Sequence, residues 1–415
     1  MPQAPRAAIS QSMVVTALVL LVGLQPVSTD LYLPGLPLLR AHFGVSAGVV
    51  QMAQSAFVLC FGFSQLAWGP LSDRFGRRPA LLAGLGLYVL AAAVSAGANS
   101  LALFFAARAL QGIGLAAGMV CARAMVRDLY EPHEGTRVTA AAMSVFSVIA
   151  IAAPPLGGIL ASSLGWRGAV GATAVYGGMA LGFIWLLFPE TVRRRNPDAT
   201  RPGPLLRTYA TIGRHPGFLS WTVLMGFAYG AYFAFYAASS FTYLGQFGIS
   251  RQVYGMVLGS GSIAYLAGTL LCRRWLATHG VRGTVARGTV FTGLSVALFV
   301  LPALYGGHGF WTLSCALWLH LLGYGVQQPC AQVGMAAPFP HEAGAASALG
   351  GCLLALGAAF SSIWLGSAFD GSARSIALIT GALVASCAVV ALTLVQRYGS
   401  APVAARQTPA ISAPP

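Results

Sequence analysis

Nine acidic side chains are spread over 415 residues, and only Asp30 falls inside an apolar run long enough to cross a membrane. Arg108 is the one arginine of the twenty-four set well inside such a run, the others lying in loops or near run ends. A charge at bilayer depth is costly, so an ionisable residue there is a functional candidate from the outset. Asp30 can bind and release a proton. Arg108 stays charged, so it can tune such a site but cannot cycle with it. Counted from the expected helix ends, Asp30 lies about 9 Å and Arg108 about 10 Å below the same face. Equal depth permits a meeting without showing one. The chemistry this pair could do is proton coupling, with desolvation and the Arg108 charge pulling Asp30 in opposite directions. The bland alternatives are a solvated acid in a wet outer mouth and an arginine bonded to backbone carbonyls around Gln111.

The elements that must hold this pair are membrane helices. The chain is 57% hydrophobic and 8% charged, whereas soluble domains carry about 25% charged residues. Runs of spanning length fall near 13–33, 48–71, 80–98, 101–123, 137–162 and 167–188. After a break come 217–243, 252–273, 284–305, 310–334, 344–367 and 374–396. The expected fold is all-α and integral to the membrane, with twelve transmembrane helices in two six-helix bundles, residues 1–188 and 217–398. Residues 189–216, rich in proline and arginine, read as a solvated linker. Residues 399–415 read as a disordered tail. The run after Arg6 is too long for a cleaved leader and ends without a small-residue cleavage site.

Arginine placement gives orientation. With the N-terminus inside, nineteen arginines fall on the cytoplasmic side and Arg40, Arg167, Arg251 and Arg374 on the other. Both termini are therefore expected in the cytoplasm. The net charge of +15 is scattered through short loops beside apolar runs, which excludes a nucleic-acid partner as its explanation. The seven cysteines show no CxxC spacing, so neither a zinc site nor a disulfide framework is indicated. One intramembrane carboxylate and one midspan histidine do not make a catalytic set. No Gly-x-x-x-x-Gly-Lys loop is present, so ATP-driven pumping within the chain has no support. No enzyme, cofactor or metal is expected.

Gly69-Pro70-Leu71-Ser72-Asp73-Arg74-Phe75-Gly76-Arg77-Arg78 lies between the second and third runs. Gly76 permits a sharp turn, and Asp73 can pair with Arg77 or accept N–H groups at a helix N-terminus. This spacing resembles the signature loop of the major facilitator superfamily, and the resemblance implies a cytoplasmic latch made by Gly69, Asp73, Arg74, Gly76, Arg77 and Arg78. Arg108-Ala109-Leu110-Gln111-Gly112 resembles that family's second motif. Ala153-Pro154-Pro155-Leu156-Gly157-Gly158 resembles its drug/proton antiporter motif, with Ala153 where the family has glycine. Pro154, Pro155, Gly157 and Gly158 are then expected to bend a helix and admit a close neighbour. Ser28 to Pro37, Arg127-Asp128-Leu129-Tyr130 and His341 to Leu349 are similar to the bicyclomycin/chloramphenicol resistance branch.

The resemblance implies a monomeric, proton-coupled exporter of small amphipathic drugs in a bacterial inner membrane, or else an exporter of an endogenous metabolite. Its cavity would lie at the midplane between the bundles. Gln54, Gln111, Tyr229, Tyr232, Tyr236, His320 and Gln327 are the candidates to line it. The three tyrosines recur at i, i+3, i+7 and form one stripe, which could equally serve packing. His320 could be a second proton site or a satisfied core histidine.

Overall fold

A computed structural model describes residues 10–192 and 195–399. The expected tail, beyond Gly399, and Arg193-Arg194 of the linker lie outside the described residues. Fourteen α-helices are formed among the residues described. In the first half they are α1 (Gln11–Thr29), α2 (Leu36–Phe43), α3 (Ala47–Phe75), α4 (Arg77–Ala96), α5 (Leu101–Leu129), α6 (Pro132–Ser163) and α7 (Gly165–Leu186). Then come α8 (Pro202–Gly213), α9 (Pro216–Phe241), α10 (Arg251–Tyr305), α11 (Phe310–Ala336), α12 (Ala343–Ala368), α13 (Ala373–Leu392) and α14 (Leu394–Tyr398).

Among the described residues, ten stretches are long and apolar enough to cross a membrane. The 55-residue α10 contains Gly280 at φ 63°, ψ −177°, so it holds two of the expected helices end to end. The 27-residue α11 is diluted by His320, Gln327 and Gln328 but has the length of a span. With these, the long helices of the described chain are twelve, and the fold is all-α and membrane-spanning. Serine caps recur: Ser10, Ser46, Ser100, Ser250 and Ser372 each accept a backbone N–H from the first turn of a helix, as small oxygen-bearing side chains do.

Three boundaries differ from expectation. The first run does not continue as one helix to its end: α1 stops at Thr29, and a 3-10 turn (Leu33–Gly35) leads into α2. Pro34 and Pro37 withhold the N–H groups a continuous helix needs. Helix α5 runs past residue 123 to Leu129, so Arg123 and Arg127 are helical too. The linker holds α8, because Pro202 and Pro204 occupy the first turn, where proline is tolerated. Ile212 of α8 is buried, and the Tyr209 hydroxyl donates to the Leu66 carbonyl of α3 at 3.1 Å. Burial pushes the Tyr209 phenol up to about 12, so it stays a donor at physiological pH.

The halves meet along two seams, α3 against α12 and α6 against α10. Small residues make both possible. A Cβ on Gly158 would stand 2.5 Å from the Arg251 carbonyl oxygen, and one on Gly259 would stand 2.6 Å from that of Ile151. On the other seam, a Cβ on Gly48 would stand 2.8 Å from the Gly366 oxygen. Helix α6 runs unbroken through Pro154 and Pro155. The contribution of its motif seen here is close approach, with Gly157 over the Leu31 carbonyl and Gly158 over Arg251.

Gly158→Val forces the α6–α10 seam apart. It is expected to cost about 1–3 kcal/mol, read as a lower thermal unfolding midpoint of the purified protein.

Candidate functional site

Asp30 sits at the C-cap of α1, 5% exposed, with its N–H bonded to the Pro26 carbonyl at 2.8 Å. Its Oδ1 accepts from the Thr29 hydroxyl at 2.6 Å and from the Tyr232 hydroxyl of α9 at 3.3 Å. The second bond crosses between the halves. Tyr232 stacks on Tyr229 at 6.1 Å and packs on Tyr236 at 4.2 Å. Tyr229 in turn accepts from Gln25 of α1 at 3.2 Å. The tyrosine stripe of the second half therefore lies along the end of the first helix. Tyr324 of α11 stacks on Tyr232, and Tyr265 reaches Tyr324 and donates to Gln328.

Arg108 is 1% exposed. It donates to Gln111 Oε1 at 2.6 Å, and to the Ser28 carbonyl and Gln54 Oε1 at 3.0 Å each. Its guanidinium lies between the Tyr32 and Phe57 rings, 4.5 and 4.3 Å from their centroids. Tyr32 also donates to Gln54 at 2.6 Å, and Gln111 donates to Thr173 of α7 at 3.1 Å. No carboxylate comes within 4.0 Å of Arg108 among the described residues. Asp30 and Arg108 are neighbours through Ser28 and Tyr32, and they are not an ion pair. Ser28 O is one of the last carbonyls of α1, which have no partner within the helix. Arg108 supplies one and sits where the helix dipole favours a cation.

Two candidates are used elsewhere. Gln327, 1% exposed, donates to Thr289 and Thr292 and accepts from Cys387, all within the second half. Its neighbour Gln328 is the one that joins the tyrosines. His320 donates through Nε2 to the Ala228 carbonyl at 3.2 Å and stacks on Tyr324 at 6.3 Å, the geometry of a packing histidine beside the cluster.

The signature loop forms its own network. Arg77 is paired with Asp73, and with Asp128 of α5 at 2.8 Å, and it donates to Ser72 at 2.7 Å. Gly76 turns the chain at φ 109°, ψ 156°. The N–H groups at the start of α4 are taken by Glu190, not by Asp73: Arg77 N at 2.9 Å and Arg78 N at 3.2 Å. Thr191 and Val192 add their own N–H groups at 2.9 and 3.0 Å. Arg78 reaches the Trp185 carbonyl, and Arg74 reaches Thr200 of the linker. These bonds stay within the first half and the linker. Beside them, Asp73, Arg77, Arg123 and Arg127 line a cavity of about 510 Å³ together with Glu342, Gly344 and Ser347 of the second half and Tyr209 of α8. Glu190 escaped the sequence reading; its one signal was an acid directly after the sixth run, at Pro189.

The profile of the Major Facilitator Superfamily matches residues 18–246. The chain belongs to the major facilitator superfamily. It is 30% identical over 390 residues to "Multidrug resistance protein D" of Escherichia coli (strain K12), covering 92% of this chain and 96% of that one. A "Bicyclomycin resistance protein homolog" of Haemophilus influenzae is 27% identical over 341 residues, 82% and 85% of the two chains. A "Chloramphenicol resistance protein" of Pseudomonas aeruginosa is 27% identical over 331 residues, 78% and 76%. Among solved structures, a D-xylose–proton symporter superposes with TM-score 0.75 at 15% identity, over 95% of this chain and all of that one. The human organic anion transporter MFSD10 gives 0.67 at 22%, over 94% and all. These two show the fold. This major facilitator chain is thus a multi-pass membrane transporter, not an enzyme.

Glu190→Ala leaves four backbone N–H groups without their carboxylate and is expected to cost about 1–3 kcal/mol. Asp73→Asn, which leaves Arg77 with Asp128, should cost less. Unfolding midpoints of the two variants side by side check the order.

Proposed function

We propose that this transporter exports small amphipathic compounds, of the chloramphenicol and bicyclomycin kind, in exchange for protons by alternating access. Asp30 is the proton-binding carboxylate in this reading. The observation that carries it is the Tyr232–Asp30 hydrogen bond: a buried carboxylate without a cation is held by a hydroxyl from the opposite half. A change of charge on Asp30 alters a contact between the two moving parts, and substrate competing for the same carboxylate would couple its passage to the proton's. Arg108 acts as a positioning residue, holding Ser28, Gln54 and Tyr32 around the carboxylate. The names of the relatives support drug export. The arginine asymmetry supports cytoplasmic termini in a bacterial inner membrane, with bundles at 1–188 and 217–398 and a monomer as the working unit. A proton moving down 100 mV supplies about 2.3 kcal/mol, with any pH gradient added.

The test is expression in an efflux-deficient bacterium, scored over a compound panel with and without a protonophore. Resistance that collapses with the protonophore is expected, and a chain that raises resistance to no compound but exports a metabolite overturns the drug reading. In everted vesicles Asp30→Asn should abolish substrate-driven proton release. Retained pH-driven transport in that variant removes Asp30 from the coupling role. Tyr232→Phe deletes one neutral hydrogen bond and should shift the apparent substrate affinity by about two- to tenfold.

A further inference from the structure

Membrane proteins deplete arginine from one face, and this chain has four there, Arg40, Arg167, Arg251 and Arg374. Two of the four meet in one cavity. Arg40 of α2 and Arg251 at the start of α10, 211 positions apart in sequence, line the same space of about 350 Å³. Pro37, Phe241, Leu244 and Ile249 give it apolar walls, and no acidic side chain lines the space. No carboxylate stands within 4.0 Å of either guanidinium among the described residues. The Arg251 Nε is buried without a hydrogen-bond partner. By contrast Arg167, on the same face, is spent on the Ala98 carbonyl and the Asn99 amide oxygen.

Two like charges lining one cavity without an acid repel each other to the extent their separation allows, and a buried guanidinium N–H without an acceptor costs free energy. Both costs are removed by an oxyanion. Guanidinium forks match phosphate and carboxylate geometry, and the apolar walls suit an attached hydrocarbon or ring. We infer that Arg40 and Arg251 form a binding site for a phosphate-type oxyanion on an apolar body. Arg40 belongs to the first half and Arg251 to the second, so the bound anion ties the halves together beside the Gly158–Arg251 contact. It thereby favours the arrangement in which this face is closed. A lipid headgroup and a free oxyanion share this chemistry.

Full-length protein in nanodiscs of pure phosphatidylcholine is titrated with inorganic phosphate, and in a second arm is prepared with rising fractions of phosphatidylglycerol. The unfolding midpoint is read throughout. The midpoint is expected to rise in at least one arm. Arg40→Gln and Arg251→Gln should each weaken the response about tenfold, the worth of one charge-assisted hydrogen bond, and Arg40→Lys should weaken it less. Arg374→Gln, on the same face but outside the cavity, should respond like the unaltered chain. A response to phosphatidylglycerol alone assigns the headgroup; a response to inorganic phosphate assigns a free oxyanion. The inference is overturned if neither arm raises the midpoint, or if the two glutamine variants titrate like the unaltered protein.

Discussion

A permanent positive charge buried among helices has to be met by something, and in this protein it is not met by an acid. Arg108 is answered by two amide oxygens, one backbone carbonyl and two aromatic faces. Cation–π contacts gain strength when water is excluded, and a helix C-terminus favours a cation. The arrangement requires α1 to stop where it does. Only a helix end leaves the Ser28 carbonyl open, and only the turn that follows carries Tyr32 over the guanidinium. Asp30 is placed by the same break. The carboxylate is left without a counterion because the terminal nitrogens of the nearest cation are committed to Gln111, Gln54 and Ser28.

The second half is fitted to that break. Tyr232 reaches Asp30 and Tyr229 reaches Gln25, and within the first half Gly157 of α6 clears the Leu31 carbonyl. In hydrocarbon, helices gain little from burying apolar surface against each other, so close backbone approach and a few polar contacts carry the association. The seams show both. Glycine faces carbonyl at Gly48–Gly366 and Gly158–Arg251, the Ser262 hydroxyl of α10 donates to the Ala150 carbonyl of α6, and between the seams Tyr229 and Tyr232 of α9 bond to Gln25 and Asp30 of α1.

Much of the fold and part of the site were legible in the chain. The runs, the linker and the arginine asymmetry follow from the thickness and dielectric of a bilayer, which act on each residue without regard to its partners. The tyrosine stripe was legible as a stripe, but whether it packs or faces a site depends on what stands opposite. Gln327 and Gln328 are adjacent and identical in kind. One is spent inside the second half and the other joins the tyrosines, a difference of about 100° around a helix. Glu190 was illegible for another reason. It caps a helix that begins 113 positions earlier, and nothing local to either segment announces the other.

By itself, the sequence determined that this is a helical membrane protein of the major facilitator superfamily, how its arginines divide between alternate loops, and that Asp30 and Arg108 are the charges set farthest inside apolar runs. Those are properties of composition, period and local spacing. Only the tertiary structure decided that Asp30 and Arg108 are not paired, that a tyrosine from the other half holds the carboxylate, and that Arg40 and Arg251 share a cavity. The physical reason is that depth along a helix can be counted from sequence at about 1.5 Å per residue, whereas its rotation and its neighbours are set by packing among a dozen helices at once.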